Sequence, residues 1–153
     1  MINDNIMLAV PVKETFEDNL ELKLYYDTKK KEYGYLGLYD NWYIRAVGKV
    51  IKVVTVEYKF NDWHYDTNVT DDEKKRIHLA MARAKTYQNS QNYVFDKDPV
   101  KFFFVDEFYP TSYQRIGDIG IIGSKKFDMA QLLGTSQLTA QYIANAIKGK
   151  SFS

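Results

Sequence analysis

The stretch YLGLYDNWYIRAVGKVIKVVTVEYK at residues 35–59 restricts the fold more than any other part of the chain. It opens on apolar and aromatic residues, and Asp40-Asn41 then supplies the polar punctuation of a hairpin. From Tyr43 onward it is rich in the β-branched residues that suit a pleated surface. The pattern predicts a strand, a tight turn and one long bent strand. Gly48 interrupts the long run, and a glycine inside a strand marks a bulge or a bend. A strand of this length in a small domain has to curl, pairing with neighbours on both sides. The same geometry bears on Asp40 and the Glu57-Tyr58-Lys59 triplet, whose spacing superficially resembles a metal-dependent nuclease. Those carboxylates would have to share one ion, yet a nearly continuous strand at ~3.3 Å per residue holds them tens of Å apart.

The other segments fit around this sheet. The chain of 153 residues predicts a single domain over 1–153, large enough to bury roughly 70% of its unfolded surface. Residues 1–19 read as an extended segment ending in a polar turn at Glu17-Asp18-Asn19. Leu20, Leu22 and Leu24 then alternate with polar neighbours as in a half-buried strand. Residues 29–31, three consecutive lysines, read as a solvated basic turn. After Tyr58 the run KFNDWHYDTNV reads as a loop, and Thr70-Asp71-Asp72-Glu73 has the form of a capping box. A helix is expected from there to about Tyr87, with Ile77, Ala80, Met81 and Ala84 as its apolar stripe.

Residues 88–99 predict a polar connection ending at proline, and 100–108 (VKFFFVDEF) a central strand. Tyr109-Pro110-Thr111 is expected to turn the chain into a short glycine-bearing strand, IGDIGIIG. Residues 127–133 predict a short helix ended by Gly134, and Thr135 or Ser136 the cap of a last helix through Lys148. The fold class is therefore α+β: a curled mixed or antiparallel sheet with a central helix and a C-terminal helix.

Composition narrows the chemistry. The chain has no cysteine, hence no disulfide framework and no thiolate nucleophile or ligand, which fits a reducing compartment such as the cytoplasm. The N-terminal region has no basic leader, and its apolar run is far short of the ~18 residues that cross a bilayer, so no membrane association is expected. Neither a G-x-S-x-G elbow nor a G-x-x-x-x-G-K-[ST] loop occurs. Asp62, His64 and Asp66 alternate, with His78 on the following helix, but spacing alone does not make these a metal site, and solvated loop residues account for them better. The expectation is a non-catalytic protein without metal or cofactor.

Aromatic residues interleaved with cations are what remains. Thirteen tyrosines, nine phenylalanines and two tryptophans accompany a net charge of only +1, so any electrostatic footprint must be local. Core packing accounts for about half of the rings on base rates. The candidate contact residues are Trp42 and Arg45; Lys59, Trp63, His64 and Tyr65; and Tyr109, Tyr113 and Arg115. Bases stack on such rings for roughly 1–3 kcal/mol each while cations neutralise phosphate.

The run at 35–54, together with the helical insertion and the aromatic strand VKFFFVDEF, resembles the PUA-like barrels and in particular their EVE branch. The resemblance covers about half of the chain. It implies a pseudo-barrel that binds nucleic acid or a nucleotide, with Trp42, Trp63 and Tyr109 as walls of a cage for an extruded or modified base. The Gly-Asp and serine usual around the first EVE strands are not evident, and the helix after Ser136 is additional. The alternative partner is a protein: a small phage or mobile-element factor that blocks a host defence complex would suit the near-neutral charge and exposed Tyr, Trp and Arg anchors.

Overall fold

Two long strands carry the architecture. The computed structural model describes residues 4–87, 95 and 97–153. Its elements run β1 (Ile6–Pro11), α1 (Phe16–Leu22), β2 (Leu24–Asp27), β3 (Tyr35–Asp40), β4 (Tyr43–Lys59), β5 (Asp62–Tyr65), α2 (Asp71–Tyr87), β6 (Val100–Arg115), β7 (Lys125–Asp128), α3 (Met129–Leu133), α4 (Ala140–Ile147) and β8 (Ser151–Phe152). The strands form one mixed eight-stranded sheet in the order β2-β6-β4-β3-β1-β7, with β5 added to β4 and β8 to β6. β1 with β3 and β6 with β8 are parallel, and the other pairs are antiparallel. The fold is thus α+β, as expected.

The bend expected at Gly48 is produced by its neighbours. Leu38 pairs with Ala46 but Tyr39 with Ile44, which leaves Arg45 as an extra residue in β4. Val50 pairs with Val105 but Lys52 with Phe104, which leaves Ile51 extra. Each insertion exchanges the faces of the strand. Ala46 and Val50 point into an inner core with Leu8, Val10, Leu36, Leu38, Phe103 and Phe108. Ile44 and Val47 point outward to a patch covered by Ile143, Ala144 and Ile147 of α4. Val54 and Val56 lie in a second outer patch with Ile77, Ala80, Met81 and Ala84 of α2. Gly48 keeps the inner core tight: a Cβ there would lie 2.8 Å from Phe108 Cδ1 and 2.9 Å from Val105 Cγ1.

The capping box forms as its sequence requires. Glu73 N donates to Thr70 Oγ1 at 3.1 Å and Thr70 N to Glu73 Oε1 at 2.8 Å, which satisfies two groups at the start of α2. The apolar stripe of α2 is buried as predicted.

Elsewhere local reading misplaced elements. Glu17, Asp18, Leu20 and Leu22 belong to α1 rather than to a turn and a strand. Lys23 ends that helix at φ 55°, and the buried Asn19 side chain donates to Leu24 O at 2.8 Å, fixing the switch into β2. Tyr109-Pro110-Thr111 does not turn: β6 runs on to Arg115. Residues 116–124 form no strand, and the run after Tyr58 is a hairpin containing β5 rather than a loop. The last helix begins later than expected, capped by Thr139, whose Oγ1 accepts from Tyr142 N at 3.0 Å. Gly134 ends α3 at φ 72°, as expected. The connection predicted over 88–99 falls largely outside the described residues.

Candidate functional site

The curled sheet does not close on itself, because β2 and β7 are the two ends of the strand order. At this seam lies a pocket of about 380 Å³ lined by Leu8, Lys29, Lys30, Lys31, Tyr33, Ser124 and Lys126. Leu8 belongs to the inner core, and the half-buried Tyr33 packs against that core. Lys126 stands opposite Leu8 in the β1–β7 register, and its ammonium lies 5.7 Å from the centroid of the Tyr33 ring.

The cations are held by backbone geometry. Asp27 Oδ1 accepts from Lys29 N at 2.7 Å and from Lys30 N at 3.2 Å, which orders the lysine turn directly after β2. Lys101 secures the same turn from β6, donating to Lys30 O at 3.5 Å and to Glu32 Oε2 at 3.4 Å. On the far side of Tyr33, Asp4 Oδ1 accepts from Gly34 N at 2.8 Å, and a Cβ at Gly34 would collide with Asp4 O at 2.1 Å. Among the described residues, the amines of Lys29, Lys30, Lys31 and Lys126 pair with no carboxylate. The pocket is thus a concentration of positive charge beside one aromatic face, an arrangement suited to a phosphate with an attached planar group.

None of the residues nominated from sequence lines that pocket, and they fall at separate places: Trp42 with Arg115, the Lys59–Tyr65 hairpin, and Tyr109 on another face. Trp42 sits at the β3–β4 tip in a positive-φ conformation (72°) after Asn41 (48°), and it lines a shallow pocket with Gln114 and Arg115. Arg115 N donates to Trp42 O at 2.7 Å, and Arg115 Nε to Ile119 O at 3.1 Å. Arg45, the bulged residue, turns back on the hairpin: its Nε donates to Asp40 O at 2.8 Å and its Nη2 to Asn41 O at 3.3 Å. Tyr113 is a core ring, 4% exposed, packed 4.7 Å from the Phe152 centroid. Tyr109 packs on the α4 patch and lines a separate cavity of about 560 Å³ with Lys49, Asp106 and Glu107.

The second group lies at the opposite end of β4. Trp63 packs 4.8 Å from Tyr58 and 5.6 Å from His78, between β5 and α2. Tyr65 Oη and His78 Nε2 are 2.7 Å apart. His64 Nε2 lies 3.1 Å from Lys59 O, and Lys59 Nζ pairs with Glu57 at 3.5 Å. Burial, and then the charge of Lys74, hold the His78 imidazole below its usual pKa, while burial pushes the Tyr65 phenol up. The cage of Trp42, Trp63 and Tyr109 is therefore not assembled: Trp42 precedes β4, Trp63 pairs with its far end, and Tyr109 lies on an outer face.

Asp40 and Glu57 are separated in the same way, at the β3–β4 turn and near the β4–β5 turn. Asp62 and Asp66 accept from the backbone amides of Trp63 and Thr55, both at 2.8 Å. No three His, Cys, Asp or Glu side chains converge as a metal site among the described residues.

No family model matches the chain, and no curated protein matches it. A crystal structure of ASCH from Zymomonas mobilis does, with a TM-score of 0.53 over 95% of this chain and 98% of that one, at 4% sequence identity. The chain shares the fold of that ASCH structure. At that identity the match concerns the path of the backbone, so the chemistry of this ASCH-type fold rests on its own side chains. Among the described residues no helix is long and apolar enough to cross a membrane.

The lysine pocket was missed because its parts are unremarkable singly. Three lysines in a turn read as solvated, and Lys126 is far away in sequence. Only the β1–β7 register and the curl bring them together around Tyr33.

Proposed function

We propose that this protein is a non-catalytic nucleic-acid or nucleotide-binding module whose ligand enters the seam between β2 and β7. The observation that carries the reading is the set of four carboxylate-free lysines around Tyr33 in a pocket of about 380 Å³. The amines neutralise phosphate, and the recessed tyrosine face takes a base that has left its stack. The ASCH-type fold supports this reading, since PUA-like barrels resemble one another in serving as nucleic-acid modules. A modified base, the EVE-like refinement, would be sensed at Tyr33 and Leu8 rather than at the tryptophans.

The test is titration of labelled single- and double-stranded DNA and RNA, including oligonucleotides with modified bases, at low salt. Binding that falls steeply with salt and is lost in a Lys29→Ala/Lys30→Ala/Lys126→Ala variant is expected. Lysines at open sheet edges also discourage pairing with other chains. If that were their whole role, no oligonucleotide or nucleotide would bind, and the reading would be wrong.

A protein partner is the second reading, and the β4–β5 hairpin favours it. Phe60, 88% exposed at the turn, and Tyr58 beside it present apolar surface, and neither lines the lysine pocket. A stoichiometric protein recovered from a host lysate by the wild type but not by Phe60→Ala would support it.

A further inference from the structure

Resting on the lysine pocket as a nucleic-acid site, we infer that the ligand is a single strand several nucleotides long, held at a second aromatic and cationic subsite formed by Trp42 and Arg115. That subsite is a shallow cavity of about 410 Å³ lined by Trp42, Gln114, Arg115, Ile116 and Gly117. It joins the lysine pocket through the 116–124 segment, which leaves β6 beside Trp42 and enters β7 at Lys125, between Ser124 and Lys126 of that pocket.

The connecting segment has the form of a track. It passes from β6 to β7 across β4, β3 and β1, four inter-strand spacings or about 20 Å. Gly120 lies hard against the barrel end, where a Cβ would stand 2.8 Å from Tyr39 Oη. Gly117 and Gly123 adopt φ 150° and 76°, and no side chain rises from the segment at these three positions. Ile116, Ile119 and Ile122 stand exposed along it, Ile122 at 82%. They offer apolar edges to unstacked bases. Asp118 is the one carboxylate within the segment, and cations stand at both of its ends, Arg115 at one and Lys126 at the other.

Trp42 is placed at a cost. Asn41 and Trp42 both have positive φ, as a two-residue hairpin turn of type I′ demands, and the second position of such a turn favours glycine. An aromatic residue held there and left 37% exposed is a ring presented to solvent. A duplex cannot use these features together: it can extrude one base to Tyr33, but its other bases stay paired and stacked and present no face to Trp42. A single strand can place one base on Tyr33 and another on Trp42.

The chain contains only two tryptophans, Trp42 and Trp63, so Trp63→Phe leaves Trp42 as the sole tryptophan, excited selectively at the red edge of the band where tyrosine does not absorb. The experiment compares a thymidine or uridine dinucleotide with an oligomer of about ten nucleotides, a length within the span of known single-strand grooves. The expected result is quenching of Trp42 emission by the ten-mer and not by the dinucleotide, with the ten-mer bound at least about tenfold more tightly. Trp42→Ala should then weaken the ten-mer about tenfold, the scale of one stacked base, and leave the dinucleotide unchanged. Binding of both ligands with equal affinity and no quenching overturns the two-subsite inference while leaving the lysine pocket standing. Duplex bound as tightly as the single strand overturns it as well. Absence of binding by every ligand at low salt instead removes the reading on which it rests.

Discussion

The Lys126 ammonium lies 5.7 Å from the centroid of the Tyr33 ring, across the seam between the two ends of an otherwise continuous sheet. The pair fixes which face of the ring is cationic and which is left for a ligand. Tyr33→Phe keeps the face and should bind oligonucleotides within about twofold of wild type, whereas Tyr33→Leu loses stacking and should weaken binding roughly tenfold. Lys126→Ala should in addition reduce the slope of log affinity against log salt by about one. Anisotropy titrations over a range of salt concentrations separate the two effects, and an unchanged slope would show that Lys126 meets no phosphate.

Gly48 tests the inner core independently of any ligand. The atoms that its missing Cβ would meet belong to Phe108 and Val105, both buried between paired strands and unable to withdraw. Gly48→Ala should destabilise the fold by about 1–3 kcal/mol, the usual cost of overpacking. Urea denaturation should show a lower midpoint at unchanged slope. A neutral result would mean that β4 and β6 can separate at this point.

The contrast between what the sequence showed and what it hid has a physical basis. Period, capping and β-branching are local, so β3, β4, the core of β6 and the start of α2 were legible. Leu20, Leu22 and Leu24 alternate convincingly, yet Leu22 serves the α2 patch from the end of a helix, and Leu20 packs against the inner core. What decides this is tertiary: Arg83 of α2 reaches Asp18 at 3.0 Å and also pairs with Glu21, holding α1 as a helix. The nominated binding residues are dispersed for the same reason. Tyr113 and Trp63 look alike in a string of letters, but Tyr113 is sealed under β8 and Trp63 leans on α2. The bulges at Arg45 and Ile51 leave no mark in composition, although they decide which face each aromatic residue takes.

The α2 cap supplies a third prediction. Burial alone would raise the Glu73 carboxyl, but the hydrogen bond from Lys52 at 2.8 Å and the Thr70 amide outweigh it, and the net pKa falls below the ordinary value. A depressed carboxyl stabilises the fold above its unfolded pKa, and that contribution disappears as pH falls through the folded value. Glu73→Gln should therefore flatten the acid limb of stability below about pH 4.5, and Thr70→Ala should cost about 1 kcal/mol at neutral pH. Thermal melts across the acid range check both.

His78 governs a higher pH window. Its imidazole is half-buried, lies 2.7 Å from Tyr65 Oη and faces the Lys74 charge, so the folded state favours the neutral ring. Because the folded pKa is lowered, the unfolded chain takes up the proton first, and stability declines as pH drops below about 6.5 toward the folded value. His78→Gln should remove that part of the decline below about pH 6.5. Nuclear magnetic resonance titration of His78 should place its midpoint below 6.5. A midpoint above that value would show that the Tyr65 contact favours imidazolium.

Phe60 offers the last prediction, one in which stability and function part. It occupies the β4–β5 turn at φ 55°, followed by Asn61 at φ 61°, so both residues lie in the left-handed region. For a residue other than glycine, asparagine or aspartate this conformation costs roughly 1–2 kcal/mol. The ring recovers little, being 88% exposed with only an edge contact to His64 at 6.2 Å. Phe60→Asn should consequently raise stability by about 1 kcal/mol, since asparagine tolerates the geometry and the lost contact is small. Under the lysine-pocket reading, oligonucleotide affinity should be untouched, because Phe60 lines neither that pocket nor the Trp42 subsite. If the variant is stabilised and still binds nucleic acid but no longer retains a protein from lysate, the strained ring serves a second surface. If it is destabilised instead, Phe60 is packing in solution against something that its exposure does not reveal.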